Sequence, residues 1–206
     1  MATTQLLHLK NISLNHNHDL IAGIDEAGRG SLAGPVVTSA VILSPKINTI
    51  KIKDSKILSS KKRKVLYNYI IKNTLYISTS IISHHEIDSL NILKATMKGM
   101  KIALMELKQK PSLVLIDGNQ KPTIKNYNIK TIVKGDKIEK VISAASIIAK
   151  VTRDNIMDNY SKLYTNYGFD KNKGYGTEKH YNQLFKYGPS PIHRKSFKLQ
   201  KQLKLL

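Results

Sequence analysis

The chain has 206 residues, 41% of them apolar, enough for one substantial core, and it has no cysteine. Disulfides, thiolate metal sites and a cysteine nucleophile are therefore excluded, and every apolar run falls far short of the ~20 residues that span a bilayer. Thirty-four basic residues against 14 acidic ones leave a net charge of +20, which points to a polyanionic partner, because neutralised phosphates release counterions on binding. Only Arg29, Arg63, Arg153 and Arg194 are arginines. The lysine excess, with abundant Ile and Asn, also fits a biased coding composition. The first twenty residues lack a basic start followed by an apolar stretch, so no secretory leader is expected. The composition suits a soluble, cytoplasmic protein with no membrane partner.

In chain order, short apolar or alternating runs bounded by turn residues predict strands at Leu20–Asp25 and Val36–Leu43. Lys62–Lys72 reads as a helix, with Val65, Leu66, Tyr69 and Ile70 on one face, and a third strand follows at Thr74–Ser83. A long helix is predicted over Ile87–Leu107, where Leu90, Leu93, Met97, Met100, Leu104 and Leu107 recur at helical spacing. Polar and acidic groups from Ser83 to Asp88 suit its N-terminal end. Two more strands are expected at Ser112–Asp117 and Ile129–Val133, then a helix from about Glu139 to Tyr160 and a short one at Thr177–Lys186. The tail from Ser196 reads as a basic terminal helix. Without repeats, Gly/Ser linkers or low-complexity blocks, one domain over residues 1–206 is expected. The order implies an α/β fold with a mixed sheet, an opening hairpin or meander and helices packed on its faces. Active groups in such sheets gather at strand ends.

With so few acidic residues, each can be weighed. Asp19, Asp54, Glu86, Asp88, Glu106, Asp158, Asp170 and Glu178 lie in polar or helical settings that suit solvated roles. Asp25 and Glu26 instead end the apolar run Ile21-Ala22-Gly23-Ile24 and open Ala27-Gly28-Arg29-Gly30. Asp117 closes Leu113-Val114-Leu115-Ile116 ahead of Gly118, and Asp136 follows Ile132-Val133-Lys134-Gly135. One strand-end Asp is ordinary turn chemistry, but three such ends and an Asp-Glu pair ask for more. Crowded carboxylates repel and lose hydration, a conflict that a hard cation resolves. Oxygen-only ligands favour Mg²⁺ or Mn²⁺ over zinc. Asp154 is a rival fourth ligand, although a local pairing with Arg153 or a capping role explains it equally well. Adjacent strand residues point to opposite faces, so Asp25 and Glu26 can share a site only if the strand ends or bulges there.

These segments resemble ribonuclease HII, the type 2 ribonuclease H family. Gly23-Ile24-Asp25-Glu26-Ala27-Gly28-Arg29-Gly30 with Leu32-Ala33-Gly34-Pro35-Val36-Val37 is similar to the family's opening signature. Asp54-Ser55-Lys56 with Leu58-Ser59 resembles its second block, with Ile57 where a lysine is more usual. Ile87-Asp88-Ser89-Leu90-Asn91-Ile92-Leu93 with Ala95-Thr96, then Asp117-Gly118-Asn119 and Lys134-Gly135-Asp136, match later blocks. Ser143-Ala144-Ala145-Ser146-Ile147-Ile148-Ala149-Lys150-Val151 with Arg153-Asp154 matches the family's small-residue helix. Lys173-Gly174-Tyr175-Gly176-Thr177, His180 and Gly188-Pro189-Ser190-Pro191-Ile192-His193-Arg194 complete a likeness running in order from about residue 20 to 197. The basic segment 198–206 falls outside it.

The resemblance implies a ribonuclease H-like fold, a mixed five-stranded sheet flanked by helices with a helical C-terminal segment. It implies Asp25, Glu26, Asp117 and Asp136 as the catalytic, metal-holding carboxylates, choosing Asp136 over Asp154. It further implies two-metal hydrolysis of the RNA strand of RNA/DNA hybrids. Cleavage is expected 5′ of single ribonucleotides in duplex DNA, the step of ribonucleotide excision in DNA replication and repair, leaving 5′-phosphate and 3′-hydroxyl ends. Gly28-Arg29-Gly30 is expected to read the 2′-hydroxyl and Tyr175 to pack on the neighbouring deoxyribose; each, standing alone, reads as a turn or a surface ring. Lys53, Lys56, Lys150 and the segment His193–Lys195 are candidate phosphate contacts. His84-His85 reads as structural. A monomer is expected. The alternatives are a ribonuclease HIII-like enzyme, against which Arg29 and the short leader count, and a basic nucleic-acid-binding protein without catalysis, which leaves the strand-end carboxylates without purpose.

Overall fold

The computed structural model describes residues 20–49, 52 and 59–197. Strand β1 (Ile21–Ala27) lies in the middle of a five-stranded sheet ordered β3-β2-β1-β4-β5. Strands β2 (Val36–Leu43) and β3 (Thr74–Ile82) extend it antiparallel on one side. Strands β4 (Leu113–Asp117) and β5 (Ile129–Ile132) extend it parallel on the other. The opening meander and the mixed sheet are thus as the sequence predicts.

Period-two alternation sorts the side chains of the sheet between two helical layers. On one face Ala22, Ile24, Ala40, Ile42, Val114 and Ile116 pack against Met100, Ala103 and Leu104 of α3 (Ile92–Met105). On the other, Val41 meets Ala144, Ala145, Ile147 and Ile148 of α5 (Lys140–Leu163) and Leu66 and Ile70 of α1 (Ser60–Asn73). Each fully buried Ile or Leu contributes about 1.5–3 kcal/mol. The small residues of α5 let it lie close on the sheet. Gly23 completes that fit: a Cβ there would stand 2.3 Å from the backbone carbon of Val141.

The expected helix over Ile87–Leu107 is two helices, α2 (His84–Leu90) and α3. Asn91 breaks the run with φ 68°, its side chain accepting from the Lys94 N–H to cap α3. Ser83 and Glu86 form a capping box on α2. The break rotates the apolar face, leaving Leu93 41% exposed. Val65 is also exposed, so the buried face of α1 is narrower than its apolar spacing suggests.

A further layer closes the C-terminal side. Short helices α4 (Gly135–Ile138) and α6 (Phe169–Asn172), and a 3-10 turn at Thr165–Tyr167, were not foreseen from the sequence; α7 (Glu178–Tyr187) was. Leu32, Ala33, Met157, Phe169, Leu184 and Ile192 gather there in a small core. Bridges Ser31↔Tyr175 and Ala33↔His193 fasten the 28–35 loop to the chain's end. Ser196 and Phe197 are not helical, and the rest of the expected terminal helix, 198–206, lies outside the described residues. No described helix is long and apolar enough to cross a membrane.

Candidate active site

Asp25 stands in register with Ser39, on the same face of β1 as Gly23, and α5 covers it. Burial, then the charges of Glu26 and Asp117, push its pKa well above the usual carboxylate range. A hydrogen bond from Ser146 and the Glu26 N–H, 2.7 Å away, act in the opposite direction. The β1–β4 ladder has its last paired row at Ile24↔Ile116, so Asp25 and Asp117 are the next residues of two neighbouring strands. Asp136 is buried at the start of α4, after Lys134 in a left-handed conformation, and its N–H donates to Asp117 Oδ1 at 3.4 Å.

Glu26 leaves β1 on the opposite face. Its row partner is Thr38, which lies on the α3 side against Gly99. The β2 ladder continues regularly through Ala27↔Val37, so no bulge brings Asp25 and Glu26 to one side. They are coupled across the strand instead, and Glu26 Oε1 receives Arg29 Nη1 at 3.3 Å. Accordingly, among the described residues no group of three or more His, Cys, Asp or Glu is arranged to hold a metal ion as it stands. The donor chemistry nevertheless fits a divalent cation. The donors are all carboxylate oxygens, and the repulsion that raises the Asp25 pKa is the one that a cation removes.

Beside the carboxylates, two fully buried arginines shape the 28–35 loop. Arg194 donates to the carbonyls of Gly28 (2.6 Å), Arg29 (3.0 Å), Gly34 (3.0 Å) and Pro35 (3.2 Å). Arg153 donates to Pro35, Ala33 and Lys173 at 2.9–3.0 Å. Burial lowers the pKa of both, that of Arg194 to about 9. Because a trans peptide sets its C=O and N–H in opposite directions, drawing the Gly28 and Arg29 carbonyls inward turns the Arg29 and Gly30 N–H groups outward. Gly28, at φ 97°, has no room for a side chain, since a Cβ would stand 2.1 Å from Arg153 Nε. The Arg153 guanidinium also lies 5.3 Å from the centre of the Tyr175 ring, which is 36% exposed.

The remaining sequence candidates divide. Lys150 pairs with Asp154 at 3.7 Å and keeps a partly exposed side chain. Lys53 and Lys56 lie outside the described residues. The expectation that His193 and Arg194 contact phosphate is corrected: both are buried and bonded inward. Asp154 faces Arg63 at 3.3 Å and Lys150, remote from the carboxylate group in its bonding. The rings of His84 and His85 lie against each other at a tilt of 39°, 4.0 Å between centroids. Sequence reasoning missed the part played by Arg153, Arg194, His180 and His193 beneath the loops. The available signal was their company: two of four arginines sitting in Gly- and Pro-rich or small-residue blocks.

The sequence pattern of the family described as Ribonuclease HII matches residues 22–200. A ribonuclease HII of Rickettsia akari is 51% identical over 183 residues, 89% of this chain and 93% of that protein. One of Mycoplasma capricolum subsp. capricolum is 48% identical over 192 residues, 93% of each chain. Among solved structures, the ribonuclease H2 from Pyrococcus horikoshii is similar with a TM-score of 0.76 and 26% identity, over 90% of this chain and 97% of that one. Overall fold and sequence agree, and the chain belongs to the ribonuclease HII family of metal-dependent endoribonucleases.

Proposed function

We propose that this chain hydrolyses the RNA strand of RNA/DNA hybrids and cuts 5′ of a single ribonucleotide in duplex DNA, leaving 5′-phosphate and 3′-hydroxyl ends. Asp25, Asp117 and Asp136, joined by Glu26 reaching round the end of β1, are the groups that would hold two Mn²⁺ or Mg²⁺ ions. The Glu26 side chain leaves the other face, but β1 ends one residue later and the Glu26 charge already acts on Asp25. The chemistry such ions supply when bound is Lewis-acid stabilisation of the charge that builds on the phosphoryl oxygens. The observation that carries the reading is Asp25: a buried carboxyl whose ionisation is opposed by two neighbouring carboxylates, one loop away from outward-turned N–H groups.

The chain's own residues divide the remaining work. Asp25 and Asp117, one residue beyond the last paired row of β1 and β4, face one side of the scissile position. The Arg29 and Gly30 N–H groups donate to the 2′-hydroxyl oxygen, a contact that an all-DNA strand lacks. The exposed Tyr175 ring packs on the deoxyribose that follows. Lys150 and the lysine-rich surface attract the phosphate backbone, with Lys53 and Lys56 in the same part. The chain acts as a monomer, in the cytoplasm.

Cleavage of duplex DNA carrying one ribonucleotide, with Mg²⁺ or Mn²⁺ and an all-DNA control, tests this. A cut just 5′ of the ribonucleotide, absent with chelator and in Asp25→Asn, is the expected result. Cleavage confined to long hybrids would remove the roles given to Arg29 and Tyr175. No cleavage with either metal would remove the proposal.

A further inference from the structure

Beneath Tyr175 lie two buried histidines that the reaction does not touch. His180 and His193 are 0% and 2% exposed, and their Nε2 atoms are 3.0 Å apart. The direction of every bond around them follows from one backbone group. The Ser190 N–H can only donate, and it reaches His193 Nδ1 at 2.8 Å. That nitrogen is therefore an acceptor, and the proton of the neutral ring sits on Nε2. His193 Nε2–H then donates to His180 Nε2, which leaves the His180 proton on Nδ1, 2.9 Å from the carbonyl oxygen of Tyr175. The Ser190 hydroxyl, 2.7 Å from His193 Nδ1, reinforces the same polarity. A second proton on either ring would set N–H against N–H, and burial lowers the pKa of both.

The ring planes are held as well. Phe169 meets His180 edge-on at 5.4 Å, and the Tyr167 ring lies 5.1 Å from that of His193. His193 also forms a bridge with Ala33, and the Arg194 N–H bonds to Leu32 O. In such extended pairing adjacent side chains diverge: His193 turns to His180, Arg194 to the carbonyls of Gly28 and Arg29. One short segment thus braces both elements that face the sugars.

We propose that His193 and His180 are positioning residues: a one-way hydrogen-bond relay from Ser190 to the Tyr175 carbonyl sets the Tyr175 ring against the Gly28–Gly30 loop and thereby tunes the preference for an RNA-to-DNA junction. This rests on the substrate role proposed above for Tyr175. The relay has no part in cleavage itself. Its loss blurs the distinction between a deoxyribose and a ribose next to the reading loop.

The test compares kcat/KM for a duplex with one ribonucleotide against kcat/KM for a uniform RNA/DNA hybrid, using the full chain. His180→Phe keeps ring volume and removes the relay. It is expected to lower that ratio about tenfold, since small misplacements near a reaction centre carry large rate costs, while hybrid kcat holds. His180→Asn returns an N–H near the Nδ1 position and is expected to restore most of the ratio. An unchanged ratio in a folded His180→Phe, alongside a lowered one in Tyr175→Ala, overturns the relay. An unchanged ratio in Tyr175→Ala instead overturns the role given to Tyr175. Independently of any variant, ¹⁵N NMR of the wild-type chain should find His193 protonated on Nε2 and His180 on Nδ1. The opposite tautomers overturn the relay even where His180→Phe fails to fold.

Discussion

Replacing Gly23 by alanine should dislodge the helix that covers Asp25. The added Cβ would stand 2.3 Å from the Val141 backbone carbon, 2.4 Å from its oxygen and 2.6 Å from the Ile142 nitrogen. All three are main-chain atoms, so no side-chain rotation relieves the clash. Ordinary contact begins at 3.4 Å, and α5 must back away by about 1 Å. That movement loosens Ala144, Ala145, Ile147 and Ile148 from Val41 and draws Ser146 from Asp25. Overpacking of this kind costs about 1–3 kcal/mol; a rigid backbone obstacle puts Gly23→Ala at the upper end, about 3 kcal/mol. A displacement of this size at a reacting group costs on the order of 10²-fold in rate. Urea unfolding followed by circular dichroism reads the first quantity, and single-turnover cleavage under folding conditions reads the second. Gly30→Ala is the stability control, because a Cβ there meets nothing within 4 Å, and it should change stability by less than about 0.5 kcal/mol. If Gly23→Ala matched that control in stability and the wild type in rate, the close seat of α5 on β1 would be refuted.

Three further outcomes follow from local geometry. Gly28→Ala meets Arg153 at 2.1 Å and a φ of 97°, so a loss of about 2–4 kcal/mol is expected; a midpoint within error of wild type would contradict the buried seat of Arg153. Asn91→Ala removes the α3 cap and leaves a side chain at φ 68°, ψ 162°, costing about 2 kcal/mol, whereas Asn91→Gly keeps the backbone at ease and should cost less; thermal melts that rank them in reverse would count against the break at Asn91. His193 has its pKa lowered from 6.5 to about 4 by burial and by His180. Because the folded value lies below the unfolded one, its contribution is full above about pH 6.5 and is lost as pH falls towards 4. The loss is worth about 3 kcal/mol. Asp25, raised when folded, works with the opposite sign, its contribution lost as pH rises through its folded value. Subtracting the urea midpoints of His193→Phe from those of the wild type isolates the histidine; parallel curves from pH 7 to about 4 would contradict the burial argument.

The five strands and the main helices were legible because short apolar runs and helical spacing are local signals, as in Val36–Leu43 and Lys140–Leu163. The break at Asn91 was harder to see. Its signal is a cap hidden inside an apolar run, and Leu90 and Leu93 carry the helical spacing straight across it. Asp25 and Asp117 could be placed at strand ends from the sequence, and the parallel pairing of β1 with β4 makes them neighbours. What the sequence could not convey is facing. Asp25 and Glu26 stay on opposite sides of a strand that does not bulge, and His193 and Arg194, basic residues beside a lysine, turn inward because carbonyls and a second histidine await them. The partners of Arg194 lie more than a hundred positions away and His180 lies 13 from His193, where no local period reaches.

The bonds from Arg194 to Gly28, Arg29, Gly34 and Pro35 span 159 to 166 positions of the chain. During synthesis the N-terminal strands emerge first, at roughly 5–20 residues per second, and can pair long before residue 194 exists. The loop from Gly28 to Pro35 lacks its Arg194 hydrogen bonds for that whole interval. A chain lacking Arg194 would keep β1 and its carboxylates yet leave the carbonyls of Gly28 and Arg29 without the guanidinium that draws them inward, so the shape of this early loop is set by a side chain made some 165 positions later.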